Sequence, residues 1–78
     1  MMSVEEIKKN AAAIAEELRA TKSTVPPDLR QRFIDLRAAL FQRGVYDPVL
    51  VRFDSATVSH ASPQEIAEEL TKIAASLV

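Results

Sequence analysis

Three stretches of the chain place apolar side chains at alternating spacings of three and four residues, the pattern of an amphipathic helix. The first follows a capping box, Ser3 with Glu6 three residues later, and predicts a helix over residues 3–22. Its stripe consists of Val4, Ile7, Ala11, Ile14 and Leu18. Because this stripe covers barely two heptads, we interpret the helix as a member of an intramolecular bundle, with an intermolecular coiled-coil contact as the alternative.

The second stretch predicts a helix over residues 27–43. Pro26 and Pro27 interrupt the chain before it, and proline suits the first turn of a new helix. Gly44, the only glycine, stands where a helix commonly ends in a left-handed residue, with Val45 placed to contact Leu40 as in a Schellman motif. The core stripe of this helix is Leu29, Phe33, Leu36 and Leu40.

This second helix also has a second apolar face. Ile34 and Phe41 fall together about 100 to 120° from the core stripe, with Arg30 and Arg37 between the two. Bulky apolar side chains next to arginine recur at protein interfaces. We therefore predict that Arg30, Ile34, Arg37 and Phe41 bind a protein partner; the alternative is a domain that wraps this helix on three sides.

The third stretch predicts a helix over residues 63–77. Ser62, Pro63 and Glu65 repeat the signals of a helix start, an N-cap, a proline at the first position and a capping-box glutamate. Glu68 and Lys72 are spaced for an ion pair on a solvated face. The apolar stripe is Ile66, Leu70, Ile73 and Leu77, widened by Ala67 and Ala74.

Residues 44–62 form a connection longer than the roughly two to eight residues usual in helical bundles. Asp47 and Pro48 are a good N-cap pair and predict a short helix over residues 48–54 that turns Val49, Leu50 and Phe53 inward. The alternative is a hairpin that pairs residues 49–53 with 56–60. Residues 54–62 are rich in Ser and Thr, and we expect them to be extended, with Val58 as the anchor into the core.

Asp54, Ser55, Thr57, Ser59 and His60 bring together the side-chain types of acid, nucleophile and base. Neighbours along an extended strand point to opposite faces, so this adjacency does not indicate the hydrogen-bonded geometry of a triad. With one His and no Cys, the chain also lacks a recognisable set of metal ligands. We expect a protein without enzymatic activity, metal or cofactor, with His60 at the surface or at a cap.

Residues 55–61, Ser-Ala-Thr-Val-Ser-His-Ala, resemble the start of the recognition helix in helix-turn-helix repressors of the lactose-repressor type. The resemblance implies DNA binding by a helix that begins in this segment and follows a first helix and a turn. It covers seven residues of the chain. Pro48 falls within the supposed first helix, and Arg52 stands where the turn usually has glycine.

The composition limits the class of protein further. The chain has 78 residues, 12 of them Ala, and no Cys, so a small core must fold without a disulfide, a situation in which small domains often rely on a partner chain. The net charge of −1 permits self-association and gives no overall field toward nucleic acid. The longest apolar run, residues 11–15, is too short for a membrane span of about 20 residues.

Charge is distributed in an acidic, basic, acidic order, with sums of −2 over residues 1–18, +4 over 19–52 and −3 over 53–78. This order is typical of segments that fold back on one another. For the arginines of the middle segment, we expect pairing with the acidic end helices.

The sequence thus predicts an all-α fold over residues 1–78, a single small helical domain. Three amphipathic helices and one short helix form a small bundle, with an irregular Ser/Thr-rich segment before the last helix. The predicted function is a non-enzymatic protein–protein interaction module of the cytoplasm, a homodimer or a protein that docks on another through the second helix. A small nucleic-acid-binding or regulatory protein, and an accessory subunit of an enzyme, are the alternatives.

Overall fold

The computed structural model describes residues 2–77, and Met1 and Val78, the ends of the predicted domain, lie outside the described residues. The elements are α1 (Val4–Ala20), α2 (Pro27–Gln42), α3 (Pro48–Arg52), one turn of 3₁₀ helix (Val58–His60) and α4 (Pro63–Ser76). Residues 2–77 contain no strand, so the all-α prediction is confirmed and the hairpin alternative is wrong.

The capping box at the start of α1 is confirmed. The Ser3 hydroxyl accepts from the Glu6 backbone N–H at 3.2 Å, and the Glu6 carboxylate accepts from the Ser3 backbone N–H at 3.1 Å. The helix ends at Ala20, two residues earlier than predicted, because Thr21 adopts an extended backbone. The Thr21 hydroxyl then donates to the Glu17 carbonyl, one of the acceptors left open at the end of the helix.

The Schellman end of α2 is also confirmed. Gly44 has a φ of +80°, the left-handed conformation that glycine adopts without steric cost. The Val45 N–H donates to the Leu40 carbonyl and the Gly44 N–H donates to the Phe41 carbonyl, both at 3.0 Å. The chain therefore reverses at a fixed angle and returns along α2.

The core is built from all the helical elements, with α1 packed mainly against α4 and less extensively against α2. Buried alanines on α1 and α4 bring these two helices close together, because the distance between packed helices depends on the side chains at the contact. Among residues 2–77, all the buried ones are apolar: Ile7, Ala11, Ile14, Ala15, Leu18, Val25, Leu29, Phe33, Leu36, Leu40, Val49, Leu50, Val58, Ala61, Ile66, Ala67, Leu70 and Ile73.

Two ion pairs join the basic middle of the chain to its acidic ends, as the charge order indicates. Arg32 of α2 lies 2.6 Å from the Glu17 carboxylate of α1. Arg52 of α3 pairs with Glu65 of α4. Both pairs involve partly exposed side chains, so each contributes little to the stability of the fold.

The predicted capping box at the start of α4 is wrong. Ser62 is the N-cap, but its side chain makes no capping hydrogen bond. The Glu65 carboxylate binds Arg52 instead of the backbone of Ser62, so a tertiary ion pair replaces the local contact. Likewise, Lys72 pairs with Glu69 at 3.5 Å and not with Glu68.

The segment between α3 and α4 differs from the prediction. The short helix ends at Arg52, and the expected extended form is wrong, because a turn over residues 55–57 leads into the 3₁₀ helix. Val58 is fully buried, so its prediction as the anchor is confirmed. Where a repressor would have a recognition helix, this chain has a single 3₁₀ turn before α4 begins at Pro63.

Candidate functional site

The four side chains predicted to bind a partner lie along the flank of α2 that faces residues 44–58. Arg30, Ile34, Arg37 and Phe41 are all partly buried, and the two apolar ones pack against the edge of the core. The chain's own returning segment thus covers part of the second apolar face. What remains exposed is a strip shared between α2 and this segment.

Arg37 lies at the middle of the strip, is partly buried, and is held in place by contacts within the molecule. Its Nε donates to the Leu50 carbonyl at 2.6 Å. Because the last carbonyls of a helix lack intrahelical donors, the Leu50 carbonyl near the end of α3 is open, and this guanidinium satisfies it. The Arg37 Cζ also lies 4.5 Å from the centroid of the Phe41 ring, within the range of a cation–π contact.

Phe41 forms an aromatic pair at the end of the strip with Tyr46, a residue that the sequence patterns did not single out. Their ring centroids are 5.3 Å apart with an interplanar angle of 34°. Tyr46 is 65% exposed. Among the large apolar and aromatic side chains that the structure describes, Val51 is the next most exposed, at 57%. The Schellman reversal at Gly44 brings Tyr46 back to Phe41, which a helical periodicity cannot show. We call Arg30, Ile34, Arg37, Phe41 and Tyr46 the α2 surface.

Arg30 and Ile34, at the other end of the strip, line a cleft of about 210 Å³. Ser55 and Val58, from the turn and the 3₁₀ helix, form the opposite wall. The Arg30 Nε is buried and has no hydrogen-bond partner. The remaining lining residues are Pro27 and Gln31. We call this depression the α2 cleft.

The residues considered as acid, nucleophile and base do not come together as a triad. The Asp54 carboxylate accepts from the backbone N–H groups of Ala56 and Thr57 at 2.9 and 3.1 Å, and from the Thr57 hydroxyl at 3.1 Å. These hydrogen bonds, that from Ala56 above all, lower the pKa of Asp54 below its ordinary value. His60 is exposed, and no hydrogen bond joins its imidazole to Asp54. This carboxylate therefore organises a turn.

Residues 2–77 hold no group of three or more His, Cys, Asp or Glu side chains that could bind a metal ion together. Within the same residues, every helix is too short or too polar to cross a bilayer. No family model, curated protein or solved structure matches this chain. The candidate site is therefore defined by the geometry of the α2 surface alone.

Proposed function

We propose that this protein is a non-enzymatic, cytoplasmic interaction module that binds a protein partner through the α2 surface, with a second copy of the chain as the first such partner. The observation that carries the proposal is the aromatic pair of Phe41 and Tyr46 beside Arg37. Tyrosine and arginine are enriched among the residues that contribute most to binding energy at interfaces. Here Arg37 is hydrogen-bonded to the Leu50 carbonyl and the Tyr46 ring packs against Phe41, and contacts that hold a side chain in place before binding lower its entropic cost.

Self-association is supported by the composition. The chain has no disulfide to stabilise it, and its net charge is only −1, so two copies approach without strong repulsion. An exposed Tyr46 ring next to a half-buried Phe41 ring gives each copy an apolar patch that a second copy can cover.

The test compares variants of this surface. We expect Tyr46→Ser, and the double variant Ile34→Ser with Phe41→Ser, to keep the helical circular dichroism spectrum and to lose self-association, measured by light scattering. Tyr46 is the sharper position, because Ile34 and Phe41 also pack against the core and their replacement lowers stability.

Val51→Ser is the matched control, because Val51 is exposed to a similar degree and lies outside the α2 surface. It should associate as the wild type does. If Tyr46→Ser remained as associated as the wild type, the α2 surface would not be the interface. If the double variant unfolded while Tyr46→Ser kept both fold and association, the second apolar face would be ordinary core.

A further inference from the structure

The α2 cleft combines polar and apolar surface around one cation. The partly buried Ile34 provides apolar surface, and the fully buried Val58 lies behind the opposite wall. Arg30 provides the charge, and within residues 2–77 its side chain makes neither an ion pair nor a hydrogen bond.

The carboxylates around the cleft are already engaged elsewhere, which leaves Arg30 without an internal partner. Asp28 pairs with Arg32 at 3.6 Å, and Asp35 accepts from the Gln31 amide at 2.9 Å. Asp54, next to Ser55 on the opposite wall, is held by the hydrogen bonds of its own turn. A carboxylate from outside the molecule would therefore meet no competitor at Arg30.

The size of the cleft indicates what such a ligand is. At about 210 Å³ it is smaller than the roughly 300 to 1,000 Å³ of sites that enclose whole small molecules. It has room for one or two side chains. Its position at one end of the α2 surface makes a protein chain the natural source of those side chains.

We propose that the α2 cleft binds an acidic, apolar segment of a partner protein, with a carboxylate on the Arg30 guanidinium and an aliphatic side chain against Ile34. The inference rests on the proposed function, because it treats the cleft as part of a protein-binding surface. It adds the chemical class of segment that is recognised.

The test titrates the ¹⁵N-labelled protein of 78 residues with two peptides and follows its amide resonances. The peptides are acetyl-Leu-Glu-Leu-Glu-amide and its uncharged counterpart acetyl-Leu-Gln-Leu-Gln-amide. We expect the glutamate peptide to bind about tenfold more tightly, the size of effect of one hydrogen bond between charged groups. The shifted amides should include Ile34, Ser55 and Val58.

Arg30→Gln should reduce this preference to less than about twofold, since it removes the charged partner of the carboxylate. Arg43→Gln is the matched control, because it removes the same charge from an exposed position at the opposite end of α2, outside the cleft, and it should keep the preference. Arg30→Lys, which retains the positive charge, should keep at least part of the preference for the glutamate peptide. Thermal melting confirms that each variant is folded.

Three results would overturn the inference. The first is equal binding of the two peptides, and the second is an equal loss of the preference for the glutamate peptide in Arg43→Gln and Arg30→Gln. The third is binding of N-acetylleucine as tight as that of the glutamate peptide, which would indicate a site for small carboxylates. If the protein self-associates through Tyr46 but does not prefer the glutamate peptide, only the inference about the cleft is refuted. If it prefers the glutamate peptide but stays monomeric, only self-association is refuted.

Discussion

Asp54 shows how much one side chain determines in the connection between α3 and α4. Its carboxylate accepts three hydrogen bonds from Ala56 and Thr57, and the Asp54 N–H donates to the Thr57 hydroxyl at 3.0 Å. The turn so formed directs the chain into the 3₁₀ helix that buries Val58. One wall of the α2 cleft therefore depends on an ionised aspartate.

The lowered pKa of Asp54 predicts a pH-dependent contribution to stability. Because the folded-state pKa lies below the unfolded-state value of about 3.9, the contribution is fully present above that pH and is lost as the pH falls through the folded-state pKa. We expect Asp54→Ala to melt at a lower temperature than the wild type at pH 7. The difference in melting temperature between the two proteins should narrow as the pH is lowered below about 4.

Thermal melting of both proteins from neutral to acidic pH measures this gap. Glu6, whose pKa is also lowered by hydrogen bonds from Ser3, is present in both proteins, so the difference isolates Asp54. A gap that stayed constant over the acidic range would mean that the carboxylate charge does not contribute to the turn.

Side chains whose partners lie within a few residues are the ones that the sequence predicts well. The capping box of Ser3 and Glu6 is an example, because both partners belong to one helical turn. Glu65 illustrates the opposite case: its spacing from Ser62 matches a capping box, but Arg52 of another helix binds it. Tyr46 could not be predicted as part of the site for the same reason, because its partner Phe41 is reached only after a reversal of the chain.

At the scale of the elements, the end of α2 is determined by backbone conformation. A Cβ at Gly44 would meet no atom within 4 Å, so steric contact with the rest of the molecule does not oppose a side chain there. The φ of +80° opposes a side chain at this position, because L-residues rarely adopt it.

Gly44→Ala should therefore lower the free energy of unfolding by about 1 to 2 kcal/mol, the cost of a left-handed residue with a side chain. Gly44→Asn should lower it less, since Asn tolerates this conformation better. Urea unfolding measures both. An alanine variant as stable as the wild type would show that the backbone at residue 44 relaxes to another conformation.

The boundaries of α1, α2 and α4 lie within two residues of those predicted, because apolar periodicity and end signals are local properties of the sequence. The sequence does not predict the 3₁₀ helix, because three residues show no periodicity. The sequence predicts the second apolar face of α2, but it does not predict which residues pack against that face. Its covering depends on Arg37 reaching Leu50 of α3, a contact that arises only in the folded molecule.

At the scale of the whole molecule, every helical element contributes buried side chains to the core. Leu36, at 0% exposure, lies within it on α2. Leu36→Ala should lower the free energy of unfolding by about 2 to 5 kcal/mol, because it leaves a cavity. That is a large share of the total stability of so small a protein, so the variant should be mostly unfolded.

Val51→Ala is the control for this prediction, because Val51 is exposed and its truncation should change stability by less than about 0.5 kcal/mol. Circular dichroism with thermal melting distinguishes the two. A Leu36→Ala protein that melted with the wild type would mean that α2 does not pack against the core as described.

The arrangement of charge over the whole molecule also predicts weak or absent binding to nucleic acid. Arg32 and Arg52 form ion pairs with glutamates, and Arg37 is hydrogen-bonded to a carbonyl. These side chains are thus not grouped for phosphate contacts, and the net charge is −1. A titration of DNA and RNA at low salt should detect no sub-micromolar affinity. An affinity of that strength, weakening steeply with salt, would favour the nucleic-acid-binding alternative.

The most direct test of the central proposal, that the α2 surface is a protein interface, is the mass of the wild-type protein in solution. Sedimentation equilibrium from micromolar to several hundred micromolar concentration measures it. We predict that the mass rises from the monomer value of 8.6 kDa toward twice that value, and that Tyr46→Ser stays at the monomer mass. A wild-type mass of 8.6 kDa over the whole range would contradict self-association through this surface.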